Sequence, residues 1–209
     1  MIGESGSGKS TLLSVLRGLY PVEPQIEIHR ENHVYHSLQA LFDKVTLFPQ
    51  DPEIFENTIR YNITLGLPVG EDEIVKACEA ASFQEVVLQL PKQLESSIKE
   101  KGVNLSGGQK QRLALARGIL AAQGSDIILM DEPTSSVDPK TELIIYQRLF
   151  ELVKDKVMIS ALHRLHLLVH FDYIYVIHNG RIAVQGSLEY LKQHGSLFRD
   201  LWSHQETEK

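Results

Sequence analysis

Apolar positions along the chain recur with two different periods. Leu12, Leu13, Val15, Leu16 and Leu19 fall at helical spacing and predict a helix that begins near Lys9 and stops around Gly18, with Pro21 beyond it as a breaker. Gln25–Ile28 alternates like a short, half-exposed strand, and His33–Ala40 reads as a mixed connection. Lys44–Phe48 is a compact β-rich run cut off by Pro49-Gln50 and turned by Asp51-Pro52, which puts Gln50 at the C-terminal end of a strand. From Glu71 to Leu120 the pattern is helical: Ile74, Val75, Cys78 and Ala81 share a face, Pro91 interrupts, and a helix follows over Lys110–Leu120. This stretch, roughly residues 71–120, predicts an inserted helical subdomain.

Asp126–Glu132 is four apolar residues closing on Asp131 and Glu132, the pattern of a strand buried on both faces with carboxylates at its tip. Pro133 turns the chain, and Ser135-Ser136-Val137-Asp138 leads into a helix carrying Leu143, Ile144, Tyr146, Leu149 and Leu152. Val157–Ala161 is a third strand running towards His163. Tyr173–Ile177 and Arg181–Gln185 flank Asn179-Gly180, a hairpin signal, and two short helices follow, so that hairpin and helices fill roughly residues 172–205. Strands alternating with helices predict an α/β fold with a mainly parallel sheet, whose C-terminal strand ends line one ligand-binding edge.

Composition narrows the class. In 209 residues, 43% hydrophobic and 23% charged content is ordinary for a globular protein able to bury a sizeable core in one domain. The net charge of −6, with no Lys/Arg cluster, argues against nucleic acid as a partner. Cys78 is the only cysteine, which excludes a disulfide framework, and its place on the Ile74–Ala81 face marks it as a small core residue rather than a reactive thiol. No apolar run approaches the roughly eighteen residues of a membrane span and no signal peptide is visible, so a soluble or peripheral chain is expected.

The chemistry is concentrated at the start. Gly3-Glu4-Ser5-Gly6-Ser7-Gly8-Lys9-Ser10-Thr11 fits G-x-x-x-x-G-K-[ST] at every fixed position. Glycines and small serines let successive backbone N–H groups curl round a phosphate, and a helix starting near Lys9 points its positive end at the same anion. Lys9 adds a full charge, and the Ser10 hydroxyl is placed to ligate Mg²⁺ between the β- and γ-phosphates of ATP. Asp131 suits the same ion, and Glu132 suits polarising an attacking water. Ser106 and Gln109 have capping-box spacing, and a plain N-cap would explain them. Gly107 and Gly108 between them each cost about 1 kcal/mol of helix propensity and leave backbone bare for an anion. His163, His166 and His170 fall at i, i+3 and i+7 and would share one face of an α-helix, a spacing too weak to establish a metal site, and His163 alone would be a surface histidine.

Taken together these residues resemble the nucleotide-binding domain of ABC-type ATPases, over nearly the whole of residues 1–209. The resemblance implies that Gly3–Thr11 hold the phosphates, that Gln50 is the Q-loop glutamine and Leu105-Ser106-Gly107-Gly108-Gln109 the signature, and that Asp131 and Glu132 are the Walker B aspartate and catalytic glutamate. It further implies Ser135 to Asp138 as the D-loop, His163 as the switch histidine, and Mg²⁺ held by Ser10, Gln50 and Asp131. Two such domains sandwich two ATP molecules head to tail, so a second ABC ATPase domain, identical or related, is an expected partner, its ATP touched by Ser106 and Gly108. Asp51–Ile59 and Glu100 look like those of exporters with fused membrane domains. That likeness implies a transmembrane partner on missing sequence or another chain, and a place on the cytoplasmic face of a membrane. Only Met1 and Ile2 precede the loop, so the preceding strand and the adenine-stacking aromatic are expected upstream, as in an N-terminally truncated chain. The competing classes are a weakly active or inactive fragment and a soluble ABC ATPase, which would be expected to carry coiled-coil insertions, tandem domains or basic surfaces.

Overall fold

Met1 and Ile2, ahead of the glycine-rich loop, are paired on both edges. On one side the Met1 amino group donates to Ser160 O at 2.5 Å and Met1 O accepts from Leu162 N at 2.9 Å; on the other, Ile2 N donates to Tyr175 O at 2.9 Å and Ile2 O accepts from Ile177 N at 2.8 Å. The computed structural model describes residues 1–20, 28–30, 33–35, 38–98 and 105–207. Its strands are β1 (Ile28–Arg30), β2 (His33–Tyr35), β3 (Val45–Phe48), β4 (Ile127–Asp131), β5 (Val157–Ala161), β6 (Ile174–His178) and β7 (Arg181–Gly186). Its α-helices are α1 (Lys9–Arg17), α2 (Ile59–Thr64), α3 (Glu71–Ala80), α4 (Gln84–Gln89), α5 (Gly107–Ala121), α6 (Pro139–Leu152), α7 (Leu188–His194) and α8 (Ser196–Thr207). Two compact units carry them, residues 1–38 with 159–209, and residues 39–158.

In the first unit Ile2 bridges Val176 of β6 in parallel, and β6 turns antiparallel into β7 through Asn179 and Gly180. Both turn residues have left-handed φ, 49° and 71°, the geometry of a two-residue hairpin whose twist matches its strands. Ile2, Leu13, Leu167, Val176, Leu191 and Phe198 form the buried centre. Serine caps start α7, where Ser187 Oγ accepts from Tyr190 N at 3.2 Å. β1 and β2 form an antiparallel hairpin. His33–Tyr35 is therefore a strand, followed by a 3-10 helix over Leu38–Lys44, where the pattern had shown only a connection. Three residues are too few for a period of two to declare itself, and β2 is defined by its partner. Of the strand expected at Gln25–Ile28, residues 25–27 lie outside the described residues.

A chain made to begin at Met1 carries its amino group in this buried position. Burial, followed by the Lys9 charge, lowers its pKa from 8.0 to about 5. The unfolded chain binds the extra proton between those values, so the stability is complete above pH 8 and is lost as pH falls towards 5. The loss amounts to about 4 kcal/mol at most. Urea midpoints across that range check it; an acetylated amino terminus flattens the profile, and an unchanged slope would refute it.

In the second unit β3 and β4 run parallel in the register Val45↔Ile127 to Phe48↔Met130, and Asp126 N donates to Lys44 O at 2.9 Å. The first residues of β5 continue the sheet, Val157 N donating to Asp126 O at 3.0 Å, in the order β3-β4-β5. Ile128, Leu129 and Met130 are wholly buried, as four apolar residues without alternation predict. Cys78 lies buried with Ile74 and Ala81, and desolvation followed by the nearby Glu79 charge pushes its thiol pKa up to about 12. One helix escaped the pattern: α2, six residues long, starts at Thr58, whose Oγ1 accepts from Tyr61 N at 3.0 Å. No described helix is long and apolar enough to cross a membrane.

Helix α5 lies close on β3, and a Cβ at Gly118 would stand 2.4 Å from the Phe48 ring. Alanine gains about 1 kcal/mol of helix propensity, but overpacking against a buried ring costs roughly 1–3 kcal/mol. Gly118→Ala is therefore expected to destabilise by on the order of 1 kcal/mol, read as a lower urea midpoint. A midpoint equal to or above that of the unmutated chain would contradict this packing.

Candidate functional site

The chain leaves Ile2 and turns through Gly3 and Gly8, both at left-handed φ, 152° and 103°, before α1 begins. Gly3 admits no side chain, since a Cβ there would meet Ile177 O at 2.1 Å. The loop is tied down by Ser7 N donating to Glu4 O at 3.2 Å and Gly180 N to Ser7 O at 3.0 Å. Gly8 is the N-cap of α1 and supplies no side-chain cap, so the first N–H groups of the helix are left for another acceptor. Ser7 Oγ is buried without a partner among the described residues. Lys9 is 7% exposed, and its Nζ donates to Gly3 O at 2.9 Å and Glu4 O at 3.1 Å, lying back across the loop. Ser10 and Thr11 face solvent in the first turn. Uncapped helix amides, an orphaned hydroxyl and a buried ammonium form a donor set that suits a multiply charged phosphate. No carboxylate lies in the first turn of α1 to compete for it.

His163 belongs to the same unit. It follows Leu162, whose amide donates to Met1 O, so histidine and phosphate loop stand at neighbouring strand ends. His163 is exposed. Leu165–His170 is a 3-10 helix, not the α-helix on which His163, His166 and His170 would align, and no metal-holding cluster of three or more His, Cys, Asp or Glu occurs among the described residues.

The second unit gathers the other set. Because β3 and β4 are adjacent and parallel, Gln50 and the Asp131-Glu132 pair emerge at neighbouring C-terminal strand ends. Glu132 has φ 47°, a left-handed conformation that costs a non-glycine residue on the order of 1 kcal/mol and ends the strand directly after Asp131. Its carbonyl accepts from Ser135 N at 3.1 Å, closing a tight turn. Below it Thr134 Oγ1 donates to Glu142 Oε1 at 2.6 Å, a buried pair joining the turn to α6. Asp138 caps α6 by accepting from Thr141 N at 3.0 Å, and that backbone hydrogen bond, with a side-chain bond from the same residue, holds its carboxyl below the usual range.

Leu105 is buried ahead of α5, and the Ser106–Gln109 capping box forms as the spacing predicts. Ser106 Oγ accepts from Gln109 N at 3.3 Å and Gln109 Oε1 accepts from Ser106 N at 2.8 Å. The serine hydroxyl keeps its proton to donate elsewhere. Gly108 has a second reason to be glycine: a Cβ there would lie 2.7 Å from Ser136 O, so the helix start rests directly on the turn after Glu132. Residues 99–104, with Glu100, lie outside the described residues.

Three residues absent from the pattern-based set organise this unit. Gln111 Nε2 donates to Ser135 Oγ at 2.8 Å and Gln50 O at 3.3 Å, while its Oε1 accepts from Ser136 N at 2.8 Å. Arg117 donates to Asn62 O at 2.6 Å and Glu53 O at 2.8 Å and stacks over Phe55. Buried Asn62 closes the same segment, donating to Phe55 O at 2.9 Å and Thr58 O at 3.0 Å and accepting from Phe55 N at 2.8 Å. The available signal was polarity on an apolar stripe: Gln111 shares its face with Leu115 and Gly118 at i+4 and i+7.

Residues 1–135 match the family model described as ABC transporter. The chain is 36% identical over 208 residues to the mitochondrial iron-sulfur clusters transporter ABCB7 of Danio rerio, covering 98% of this chain and 28% of that protein. It is 38% identical over 208 residues to the heavy metal tolerance protein of Schizosaccharomyces pombe, covering 98% and 25%. Among solved structures, a bacterial Atm1-family ABC exporter with ATP bound superposes with a TM-score of 0.85 at 32% identity, over 98% of this chain and 36% of that one. The chain thus spans about a quarter of the length of these curated relatives.

Proposed function

Since the chain belongs to the ABC transporter family, we propose that residues 1–209 act as one ATP-binding domain that binds ATP with Mg²⁺, hydrolyses it, and uses the cycle to power an exporter. The observation that carries this reading is the loop before α1, with its uncapped amides, its unpartnered Ser7 hydroxyl and its buried Lys9. On this reading the segment Gly3 to Thr11 holds the β- and γ-phosphates through its uncapped amides and Lys9 Nζ, while Ser7 N stays on Glu4 O, and Lys9 leaves the Gly3 and Glu4 carbonyls to meet them. Ser10, Gln50 and Asp131 would hold Mg²⁺, which would neutralise phosphate charge.

Glu132 takes a proton from water as the water oxygen forms a bond to the γ-phosphorus; the bond from that phosphorus to the bridging oxygen breaks and ADP leaves with the electron pair. His163 donates to the γ-phosphate as charge develops. Ser106 and the amides of Gly107 and Gly108 serve the ATP of a second domain, with Leu105 and Gln109 fixing that helix start, and Ser135 and Asp138 line the contact with it. The length of the relatives, and the likeness to an Atm1-family ABC exporter, support membrane-spanning segments beside this chain and work at the cytoplasmic face of a membrane. Titration with ATP and Mg²⁺ by calorimetry, followed by phosphate release, tests the reading. Failure to bind ATP, or binding without turnover when a second domain is supplied, would overturn it.

A further inference from the structure

Gln111, which none of those roles uses, joins several of the proposed functional segments. It is 6% exposed, and the carboxamide uses both donors and its oxygen: two N–H groups directed to Ser135 Oγ and Gln50 O, and one lone pair of the oxygen to Ser136 N. The backbone N–H of Ser136 can only donate and the carbonyl of Gln50 can only accept, so the orientation of the amide is determined by its partners. Gln111 therefore spans three elements: the start of α5, the chain leaving β3, and the turn leaving β4.

The connection reaches the carboxylate by one more step. Ser135 N donates to Glu132 O, so the turn that keeps Glu132 at φ 47° is fastened at its far end by Gln111. Gly108 packs on Ser136 O from the same helix, so the start of α5 and this turn are fixed by a hydrogen bond on one side and by close contact on the other. Resting on the ATPase reading above, we propose that Gln111 is a positioning residue: it holds the Glu132 turn and Gln50 in register with the start of α5, and turnover depends on it while capture of ATP by the phosphate loop does not.

The choice of glutamine follows from the partners. Methionine has the same length and shape but leaves Ser136 N and Gln50 O unpaired. Glutamate still accepts from Ser136 N and Ser135 Oγ, yet turns a lone pair towards the Gln50 carbonyl. Loss of a hydrogen bond that orients a reacting group commonly costs a factor of about 10–100 in activity.

The test measures Gln111→Met and Gln111→Glu in the protein for kcat, for KM of ATP with Mg²⁺, and for amide hydrogen exchange without nucleotide. The expected result is kcat lowered about 10–100-fold with KM within about twofold, and faster exchange confined to Ser136 and to residues adjoining Gln50. Gln111→Glu retains the Ser136 bond, so it accelerates exchange at Ser136 less than Gln111→Met does. Unchanged kcat in both variants, a loss carried by KM, or unchanged exchange at Ser136 would overturn the proposal. A methionine variant that fails to fold leaves the glutamate variant, judged on the same kcat and exchange criteria, to decide. Absence of turnover before any mutation overturns the ATPase reading instead, and is told apart because exchange at Ser136 still accelerates in Gln111→Met.

Discussion

Glu132→Gln is expected to lower ATP turnover by a factor on the order of 10²–10⁴ while ATP remains bound. The carboxylate and the carboxamide have the same shape, and the left-handed φ of 47° is a property of the turn rather than of the charge. The Ser135 N to Glu132 O bond is made by the backbone and survives the exchange. What disappears is basicity, since an amide cannot accept the proton of an attacking water. Neither Lys9 nor the loop before α1 is altered, so affinity stays and the loss falls on kcat alone. A species held between two domains by uncleaved ATP should accumulate, visible by size-exclusion chromatography with light scattering. Turnover by the variant at the unmutated rate would assign the base to another group.

The sequence pattern announced the elements whose own residues decide their structure. Ile127–Asp131 was legible as a buried strand because Ile128, Leu129 and Met130, which alternate in direction, are all fully buried and need no polar alternation. The start of α5 was legible because Ser106 and Gln109 satisfy each other within one turn. The Asn179-Gly180 hairpin was legible because few residue pairs accept left-handed φ at both positions. In each case the controlling interaction is local, or is burial alone.

What escaped depends on partners distant in sequence. β2 and α2 are short, and short segments carry too few periods to be heard; β2 is held by β1, and α2 by contacts with α5. Gln111 reaches Gln50 across 61 positions and Ser136 across 25, and Arg117 reaches Glu53 across 64. A glutamine among leucines signals that a buried polar group must be satisfied, but not by which residue. The same limit applies to Gly108, legible as an odd helix start and read as bare backbone for an anion. Its close approach to Ser136 O supplies a packing reason that no local pattern contains.

Lys9→Ala is expected to remove measurable ATP binding. Lys9 Nζ donates to Gly3 O and Glu4 O, so the ammonium lies over the loop rather than out in solvent. Two losses follow from deleting it. The two carbonyls lose a charged donor, worth about 1.5–3 kcal/mol for such a hydrogen bond, although Glu4 O keeps Ser7 N and water can reach the exposed part of the loop. A bound triphosphate, in contrast, would keep its charge and lose its only direct cationic partner in the loop, at a cost of about 2–5 kcal/mol, or roughly 30- to 5000-fold in affinity. The second loss dominates, because it falls on the bound state alone. Lys9→Arg separates charge from shape: it restores the cation, but its planar fork is matched to two parallel acceptors rather than to the compact space over the loop, so recovery should be partial. Calorimetric titration of all three proteins with ATP and Mg²⁺, with a thermal melt to show that each is folded, makes the comparison. Equal affinity in Lys9→Ala and the unmutated protein would show that the nucleotide binds away from this loop, and the assignment of Gly3 to Thr11 would fall with it.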